Sequence, residues 1–365
     1  MKPEDFEKGE EALAKYGDEL LDELLERDYD KGGRAVLILG PQGSGKTTAL
    51  FQLALMARRM GDTVVIAGRY PQEQIHKIPN WEKRVVMYHY QNDEFHIWRV
   101  KHGVSEEITS KLEVKTYKNA RDFIRKLDRE KLNVVYPPVW YPTPKILVRE
   151  VKRRYIVNPK VPKYMGPSAF WYEFFLEAIF RKDDSWITIA LDEADDYFGV
   201  TGAGFEYWLL RLSKDVVKDF RKSRTNLYAA VHNLSDMNWQ VNRKFMTFIL
   251  LRGARVPAGT VVYPMVPLKL EVGEAIIISG RFGLIKIKPL LKPNYSLFVE
   301  LESKEEPLCE ENTKRSNQNI KEEILRLMEE RGPYEALIKL NELKRSKMIS
   351  TSHYHRLKNL ILPLL

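Results

Sequence analysis

The hydrophobic and polar positions along the chain form short apolar runs and longer stretches of helical spacing. Apolar runs at 35–39, 63–67 and 186–191 predict buried strands, and the segment 46–60 is apolar nearly all round, as in a helix that lies beneath a sheet. Strand 35–39, helix 46–60 and strand 63–67 are joined by short turns, which is the order of a βαβ unit. The pattern therefore predicts an α/β protein with a mainly parallel sheet.

The rest of the chain contains shorter patterns of the same two kinds. Further helices are predicted at about 9–27, 119–130, 169–181, 206–220, 319–331, 334–344 and 351–362, and further strands at 133–136, 227–231 and 245–251. Two hairpins are predicted, 85–90 with 95–101 around residues 91–94, and 275–278 with 284–287, turned by Gly280 and Gly283.

Composition restricts the class of protein. An apolar share of 44% and a charged share of 30% are typical of a globular chain. The net charge of +9 is uneven, because residues 1–30 carry twelve acids and four bases and leave a basic body. A basic body favours polyanionic partners, nucleic acid first, although charge-rich surfaces also occur on thermostable proteins.

Cysteine, histidine and hydropathy patterns give an expected location. Cys309 is the only cysteine, so no internal disulfide can form and a reducing compartment fits. No run approaches the roughly 18 apolar residues that a membrane-spanning helix needs. The seven histidines are scattered, and their spacing is not that of a metal site. We therefore expect a cytoplasmic protein without a membrane span.

The stretch GPQGSGKTT, Gly40 to Thr48, fits the phosphate-loop pattern G-x-x-x-x-G-K-[ST] (Walker A) between a predicted strand and a predicted helix. In such a loop the backbone N–H groups and the helix N-terminus surround phosphates, and glycines permit the close approach. Lys46 adds positive charge to the β- and γ-phosphates, and Thr47 supplies a hydroxyl to Mg²⁺. The predicted cofactors are ATP and Mg²⁺, and the predicted nucleotide-binding residues are Gly40, Pro41, Gln42, Gly43, Ser44, Gly45, Lys46, Thr47 and Thr48.

A second motif follows the strand at 186–191, which ends in two adjacent acids, Asp192 and Glu193. The carboxyl end of a strand in a parallel sheet is where ligands bind. Asp192 is therefore predicted to hold Mg²⁺, directly or through water, and Glu193 to orient and deprotonate the attacking water. Asp195 and Asp196 are predicted to be a solvated acidic turn.

These motifs resemble those of the additional-strand, catalytic-glutamate P-loop ATPases, and within them the FtsK/HerA branch of DNA-pumping motors, which includes conjugation and viral packaging ATPases. The branch typically has an arginine followed eleven residues later by a glutamine at a strand end, and Arg221 and His232 occupy those places. Leu270 to Gly280, LEVGEAIIISG, is similar to a Leu-x-x-Gly-Glu-Ala segment of the branch. The resemblance covers about 34–80 and 170–290.

The resemblance implies a fold, an assembly and two further site residues. The fold would be a RecA-like core, and the assembly a ring, with a hexamer favoured. His232 would sense the γ-phosphate in place of the usual glutamine. Arg221 would reach a neighbouring subunit's nucleotide as an arginine finger, with Arg224 as the competing candidate.

The predicted domain organisation follows from these motifs. It comprises an acidic amphipathic helix at 1–31, a P-loop ATPase domain at 32–292 with an inserted basic subdomain at about 81–168, a linker at 293–318 and a helical module at 319–365. The three helices of this module could form a helix-turn-helix or a purely structural cap.

Within the insertion, the proline-rich segment 137–168 is strongly basic and contains interleaved aromatic residues. Such a segment suits the DNA backbone and base stacking, and it equally suits a solvated insertion. Its basic residues considered for DNA are Arg149, Lys152, Arg153, Arg154, Lys160 and Lys163.

The motifs predict ATP hydrolysis, and the resemblance implies a ring-forming motor of the mobile-element transfer or packaging type, which translocates DNA of any base sequence. One alternative is a nucleotide-gated DNA-binding switch, such as an initiator or regulator. A second is a small-molecule kinase, which the water-activating position of Glu193 makes less favourable.

Overall fold

The structure, a computed structural model, describes residues 15–28, 30–155, 161–198, 205–220, 222–260, 262–304 and 312–345, together with 357 and 361. The chain forms two compact units, residues 1–305 and residues 306–365. The larger unit is built on a ten-stranded main sheet, and the described part of the smaller unit is helical.

The main sheet takes its strands from most of the larger unit. Its strands in chain order are β1 (Ala35–Leu39), β2 (Thr63–Ala67), β4 (Val85–Tyr90), β7 (Val114–Tyr117), β8 (Leu132–Val135), β11 (Ile187–Leu191), β12 (Thr225–Val231), β13 (Thr247–Leu251), β14 (Glu274–Ser279) and β15 (Arg281–Lys286). Their order across the sheet is β15-β14-β13-β1-β12-β11-β2-β8-β4-β7. All strands from β13 to β7 run parallel, and β14 and β15 form an antiparallel hairpin at one edge. The predicted α/β fold with a mainly parallel sheet is confirmed.

Helices cover both faces of this sheet. The helices of the larger unit are α1 (residues 15–25), α2 (Lys46–Arg59), α3 (Trp81–Arg84), α4 (Ala120–Lys126), α5 (Lys145–Tyr155), α6 (Pro167–Ile179), α7 (Asp195–Phe198), α8 (Phe205–Phe220), α9 (Trp239–Asn242) and α10 (Val266–Lys269). The smaller unit contains α11 (Asn312–Arg331) and α12 (Pro333–Arg345). Along β1, Val36 and Ile38 join the core beneath α1–α3, whereas Leu37 and Leu39 join the core beneath α4–α9. Burial on both faces explains why these strands are continuous apolar runs.

A second, smaller sheet lies beside the core that α2 covers. It contains β3 (Gln72–Glu73), β5 (Asp93–Lys101), β6 (Val104–Glu107) and β16 (Ser296–Ser303), in the order β3-β16-β5-β6, and a third pair is β9 (Tyr141–Pro142) with β10 (Tyr164–Met165). The predicted hairpin 85–90 with 95–101 is wrong, because β4 belongs to the main sheet and β5 pairs with β16 and β6. Both segments are strands, but β4 is buried on both faces and therefore lies inside the larger sheet.

Two predicted domain boundaries also differ from the structure. The predicted insertion at 81–168 supplies β4, β7 and β8, which extend the main sheet instead of forming a separate body. The predicted linker at 293–318 contains β16, in which Leu297 and Val299 are buried. This alternation of buried and exposed positions is the strand signal that the polar composition of the segment obscured.

The predicted hairpin near 275–287 is confirmed as β14 and β15, so that the segment Leu270 to Gly280 contains β14. Gly280, with φ 76°, forms the turn, and Gly283 lies inside β15 rather than in the turn. A Cβ on Gly283 would lie 2.2 Å from the backbone nitrogen of Gly17 in α1. Gly283 therefore permits the close approach of α1 to the sheet edge.

The smaller unit has its own apolar cluster. Residues of α11 and α12 pack together with two residues further along the chain, namely Ile320, Ile324, Ala336, Leu340, Leu343, Leu357 and Ile361. Most of the predicted helix 351–362 lies outside the described residues. Within the described part of the chain, the structure has no helix that is long and apolar enough to cross a membrane.

Candidate functional site

The phosphate loop connects the carboxyl end of β1 to the first turn of α2. Gly43 and Gly45 have φ angles of 78° and 97°, in the left-handed region that favours glycine. A Cβ on either residue would meet no atom within 4 Å, so the backbone conformation, and not lack of space, calls for glycine. No side chain caps the N-terminus of α2, which leaves that helix end suited to an anion.

Lys46 lies folded over the loop and is buried. Its Nζ donates hydrogen bonds to the carbonyl oxygens of Gly40 (2.8 Å) and Pro41 (3.0 Å) and to Nδ1 of His232 (3.0 Å). Burial lowers the pKa of Lys46, and the nearby charges of Asp192 and Glu193 oppose that shift. A cation held in this place is available to phosphates that enter the loop.

Thr47 and Asp192 are in contact, although the strands that precede them, β1 and β11, are not neighbours in the sheet. β1 and β11 are two strand spacings apart, about 10 Å, but α2 packs across β12 onto β11 and carries Thr47 towards Asp192. Thr47 Oγ1 donates a hydrogen bond to Asp192 Oδ2 at 2.8 Å. A hydroxyl beside a carboxylate is the oxygen donor set that Mg²⁺ takes together with phosphate oxygens. Among the described residues, no cluster of three or more His, Cys, Asp or Glu side chains could hold a metal ion.

Glu193 follows β11 in an unusual backbone conformation. Its φ of 54° is left-handed, which costs a residue with a side chain on the order of 1–3 kcal/mol. The side chain is about one-third exposed, and Oε2 lies 2.5 Å from Nη2 of Arg69. Its other oxygen, Oε1, lies 4.0 Å from Nε2 of His232. Backbone strain at a partly exposed acid is typical of a functional position.

His232 follows β12 and lies between two other predicted site residues. Nδ1 accepts a hydrogen bond from Lys46, and Nε2 faces Glu193. Because β12 lies between β1 and β11, a side chain at its carboxyl end contacts both the phosphate loop and the acidic pair. The structure thus brings Lys46, Thr47, Asp192, Glu193 and His232 together.

Arg69 is a site residue that the sequence analysis missed. It lies two residues after β2, and its Nη1 and Nη2 contact Asp192 Oδ2 (3.1 Å) and Glu193 Oε2 (2.5 Å). Burial lowers the pKa of Arg69, but the charges of Asp192 and Glu193 outweigh burial and raise it. The signal was an arginine two residues after a predicted parallel strand, at the edge of the sheet where the strands of the other motifs end.

The remaining predicted site residues lie apart from this group or outside the described residues. Arg221 lies outside the described residues, between the end of α8 and the start of β12. Arg224 forms an ion pair with Asp184. Asp195 and Asp196 begin α7, and burial together with the neighbouring acids raises the pKa of Asp195.

The strand order defines the class of the core. β12 is an additional strand between β1, which carries the phosphate loop, and β11, which carries the acidic pair. Parallel strands in the order β13-β1-β12-β11-β2, with the phosphate loop after β1, form a RecA-like P-loop NTPase core.

Comparison with known proteins gave matches among solved structures only. No family model and no curated protein matches the chain. The genome packaging NTPase B204 from Sulfolobus turreted icosahedral virus 2, in complex with ATP-gammaS, is 11% identical with a TM-score of 0.41, and the match covers 71% of this chain and 98% of that one. The plasmid coupling protein TrwB, bound to an ATP analogue, is 10% identical with a TM-score of 0.41, covering 76% and 95%.

A third match is the conjugation coupling protein TcpA of pCW3, with 12% identity and a TM-score of 0.36, covering 70% of this chain and 60% of that one. By their names, these three matched structures are a genome packaging protein and two coupling proteins. At such low identities and TM-scores, no residue role is carried over from them.

Proposed function

We propose that the protein is a Mg²⁺-dependent ATPase that forms a ring and translocates DNA, as the FtsK/HerA-like motifs imply. The observation that carries the proposal is the convergence of Lys46, Asp192, Glu193 and His232 at the carboxyl edge of the sheet, with the additional strand β12 between the two motif strands.

Each residue has a distinct part in hydrolysis. Lys46 exchanges its contacts with Gly40 and Pro41 for the β- and γ-phosphates as nucleotide enters the loop. When bound, Mg²⁺ would be held by Thr47 and Asp192 and would neutralise phosphate charge. Glu193 accepts the proton of the attacking water, and His232 links the state of Lys46 to Glu193.

DNA is the proposed partner because basic residues line the exposed face of α5. Lys145, Arg149 and Lys152 are exposed at helical spacing, while Leu147 and Val151 are buried on the opposite side. Arg153 and Arg154 contact Glu150, and Arg154 also contacts Asp215 of α8. Within the described part of the chain, Lys145, Arg149 and Lys152 form no such ion pair, and they are therefore the best placed to contact phosphates.

The neighbouring helix α8 offers a second basic face on the same side of the sheet. Arg211, Lys214 and Lys218 recur at helical spacing with the exposed ring of Tyr207. The guanidinium of Arg211 lies 5.6 Å from the ring centroid of Tyr207 and 6.0 Å from that of Trp208. Aromatic and cationic groups together are the combination that contacts unpaired bases and backbone.

Changing Lys145, Arg149 and Lys152 together to Gln should weaken DNA binding equally on unrelated sequences. Each lost phosphate contact should make the slope of log affinity against log salt shallower by about 0.9 on duplex DNA. The measurement is fluorescence anisotropy of two unrelated duplexes over a salt series, with DNA-stimulated ATP hydrolysis of the same variant.

The matched control changes Lys83, Arg84 and Lys101 to Gln, three exposed cations on elements of the opposite face. It should leave the slope unchanged. If the α5 variant has the same slope of log affinity against log salt as the parent protein, α5 is a solvated part of the domain that does not contact DNA. Tight binding to a single DNA site with slow turnover would favour the nucleotide-gated switch.

The proposed ring predicts that active sites are shared between subunits through Arg221. Arginine fingers contribute about 10³–10⁵ in rate in other phosphoryl-transfer systems. Arg221→Ala and Lys46→Ala should each be inactive alone, and their mixture should regain turnover where an intact Arg221 meets an intact Lys46 site. ATP hydrolysis by mixed subunits, with co-assembly verified by native mass spectrometry, measures this.

His232→Ala supplies the contrast, because His232 contacts Lys46 of its own chain. Its mixture with Lys46→Ala should show no rescue. If neither Arg221→Ala nor Arg224→Ala regains ATP hydrolysis when mixed with Lys46→Ala, an active site shared between subunits is contradicted.

A further inference from the structure

The acidic pair is already bound by a cation of the chain itself. Two nitrogens of the Arg69 guanidinium contact two adjacent carboxylates, Asp192 at 3.1 Å and Glu193 at 2.5 Å. The Asp192 oxygen that Arg69 contacts, Oδ2, is also the oxygen that accepts the hydrogen bond of Thr47. The side chain of Asp192 is only 4% exposed, so this attraction is less screened than it would be at the surface.

Arg69 is held in this place by a buried anchor. The backbone N–H of Arg69 donates to Glu73 Oε2, which also accepts from the hydroxyl of Tyr136. Glu73 Oε1 accepts from the backbone N–H groups of Gln74 and Ile75. Four donors on one buried carboxylate fix the loop after β2, and with it the base of the Arg69 side chain.

The strand order gives this contact a direction. β2, which leads to Arg69, lies on one side of β11, whereas β12 and β1, which lead to His232 and the phosphate loop, lie on the other. The segment with Arg69 therefore approaches Glu193 from the side of β11 that is opposite to β12 and β1, while His232 lies 4.0 Å from the second carboxylate oxygen. Lys46 is engaged with the loop carbonyls and His232 instead.

We propose, on the basis of the function proposed above, that Arg69 is a positioning residue that holds Asp192 and Glu193 in a resting arrangement and releases them when metal and nucleotide bind. Thr47 and Asp192 form the oxygen donor set for Mg²⁺, and Arg69 occupies the same Asp192 oxygen with a positive charge. A divalent cation must therefore compete with Arg69 for Asp192. Released from Arg69, Glu193 can turn towards the phosphates.

Arg69→Ala should raise the affinity for a divalent cation in the absence of nucleotide. Removing the competing ion pair should strengthen Mn²⁺ binding about tenfold, which corresponds to roughly 1.4 kcal/mol. The electron paramagnetic resonance signal of free Mn²⁺, titrated with nucleotide-free protein, measures this directly. The Mn²⁺ affinity of Arg69→Lys should lie between that of the parent protein and that of Arg69→Ala. The reason is that an ammonium is a point charge, which cannot bridge both carboxylates as the guanidinium fork does.

Arg84→Ala is the charge-matched control, since Arg84 is exposed at the end of α3, and it should leave Mn²⁺ affinity unchanged. Thermal melting identifies any variant that fails to fold, in which case Arg69→Lys carries the test. Unchanged or weaker Mn²⁺ binding by a folded Arg69 variant overturns the proposal.

Turnover without DNA provides a second, separate measurement. With the restraint removed, kcat of Arg69→Ala should be at least that of the parent protein, and the Mg²⁺ concentration for half-maximal activity should fall. A tenfold or larger loss of kcat at unchanged KM would overturn the restraining role and make Arg69 a group that acts on the nucleotide. If the parent protein hydrolyses no ATP, the proposed function fails, while the Mn²⁺ titration still decides the role of Arg69.

Discussion

Glu193→Gln should bind MgATP as tightly as the parent protein and lose almost all hydrolysis. The amide keeps the shape of the side chain but cannot accept a proton from water, and positioned general bases contribute about 10²–10⁴ in rate. Binding of a fluorescent ATP analogue and release of phosphate separate the two effects. Hydrolysis at the parent rate would contradict the role of Glu193 as the base.

Two further variants serve as controls for Glu193→Gln, one expected to lose nucleotide binding and one expected to keep both binding and hydrolysis. Lys46→Ala should lose nucleotide binding itself, because Lys46 is the phosphate-loop side chain that supplies positive charge to the phosphates. Asp196→Asn removes an exposed carboxylate three residues after Glu193 and should retain both binding and turnover. Equal losses in Glu193→Gln and Asp196→Asn would indicate a general effect of charge in the acidic turn.

Asp62→Ala should cause the largest loss of stability, about 3–5 kcal/mol in the free energy of unfolding. Asp62 is fully buried, and its two oxygens accept hydrogen bonds from Arg27 at 2.6 and 2.7 Å. Thr188 of β11 and Asn226 of β12 also donate to it. The substitution removes the buried partner of Arg27. Both residues lie at the amino edge of the parallel strands, opposite the carboxyl edge that carries the phosphate loop. Urea denaturation measures the change.

Asp184→Ala is the matched control, because Asp184 also pairs with an arginine, Arg224, but its side chain is 91% exposed. Exposed ion pairs contribute about 0–1 kcal/mol, so little stability should be lost. Since Asp62 lies at the opposite edge, the nucleotide affinity of folded Asp62→Ala should be unchanged. A loss below 1 kcal/mol would mean that the buried network is energetically neutral.

Local sequence was sufficient for the motifs whose chemistry lies within a few neighbouring residues. The phosphate loop needs glycines at left-handed positions, a lysine and a hydroxyl in consecutive order, and Gly43, Gly45, Lys46 and Thr47 supply them. Each of the strands leading to the site was also visible as an apolar run, because a strand buried on both faces is apolar throughout.

Pairing between distant segments could not be predicted in the same way. β5 and β16 are separated by almost two hundred residues, yet all eight residues of β16 pair with β5 in the second sheet. Local spacing therefore favoured the wrong partner, a hairpin of β4 with β5, and it left β16 within a predicted linker. Register and partner depend on which apolar faces remain to be covered, which is a property of the whole fold.

By itself, the sequence predicted the nucleotide site of this protein, because the signal of a phosphate loop and of a strand-end acid pair lies in residue type and spacing. Only the tertiary structure decided how these parts meet. It placed β12 between β1 and β11, which brings His232 between Lys46 and Glu193. It also placed Arg69 in contact with Asp192 and Glu193. Contacts between strand ends depend on the order of the strands across the sheet, and the local spacing of residues does not determine that order.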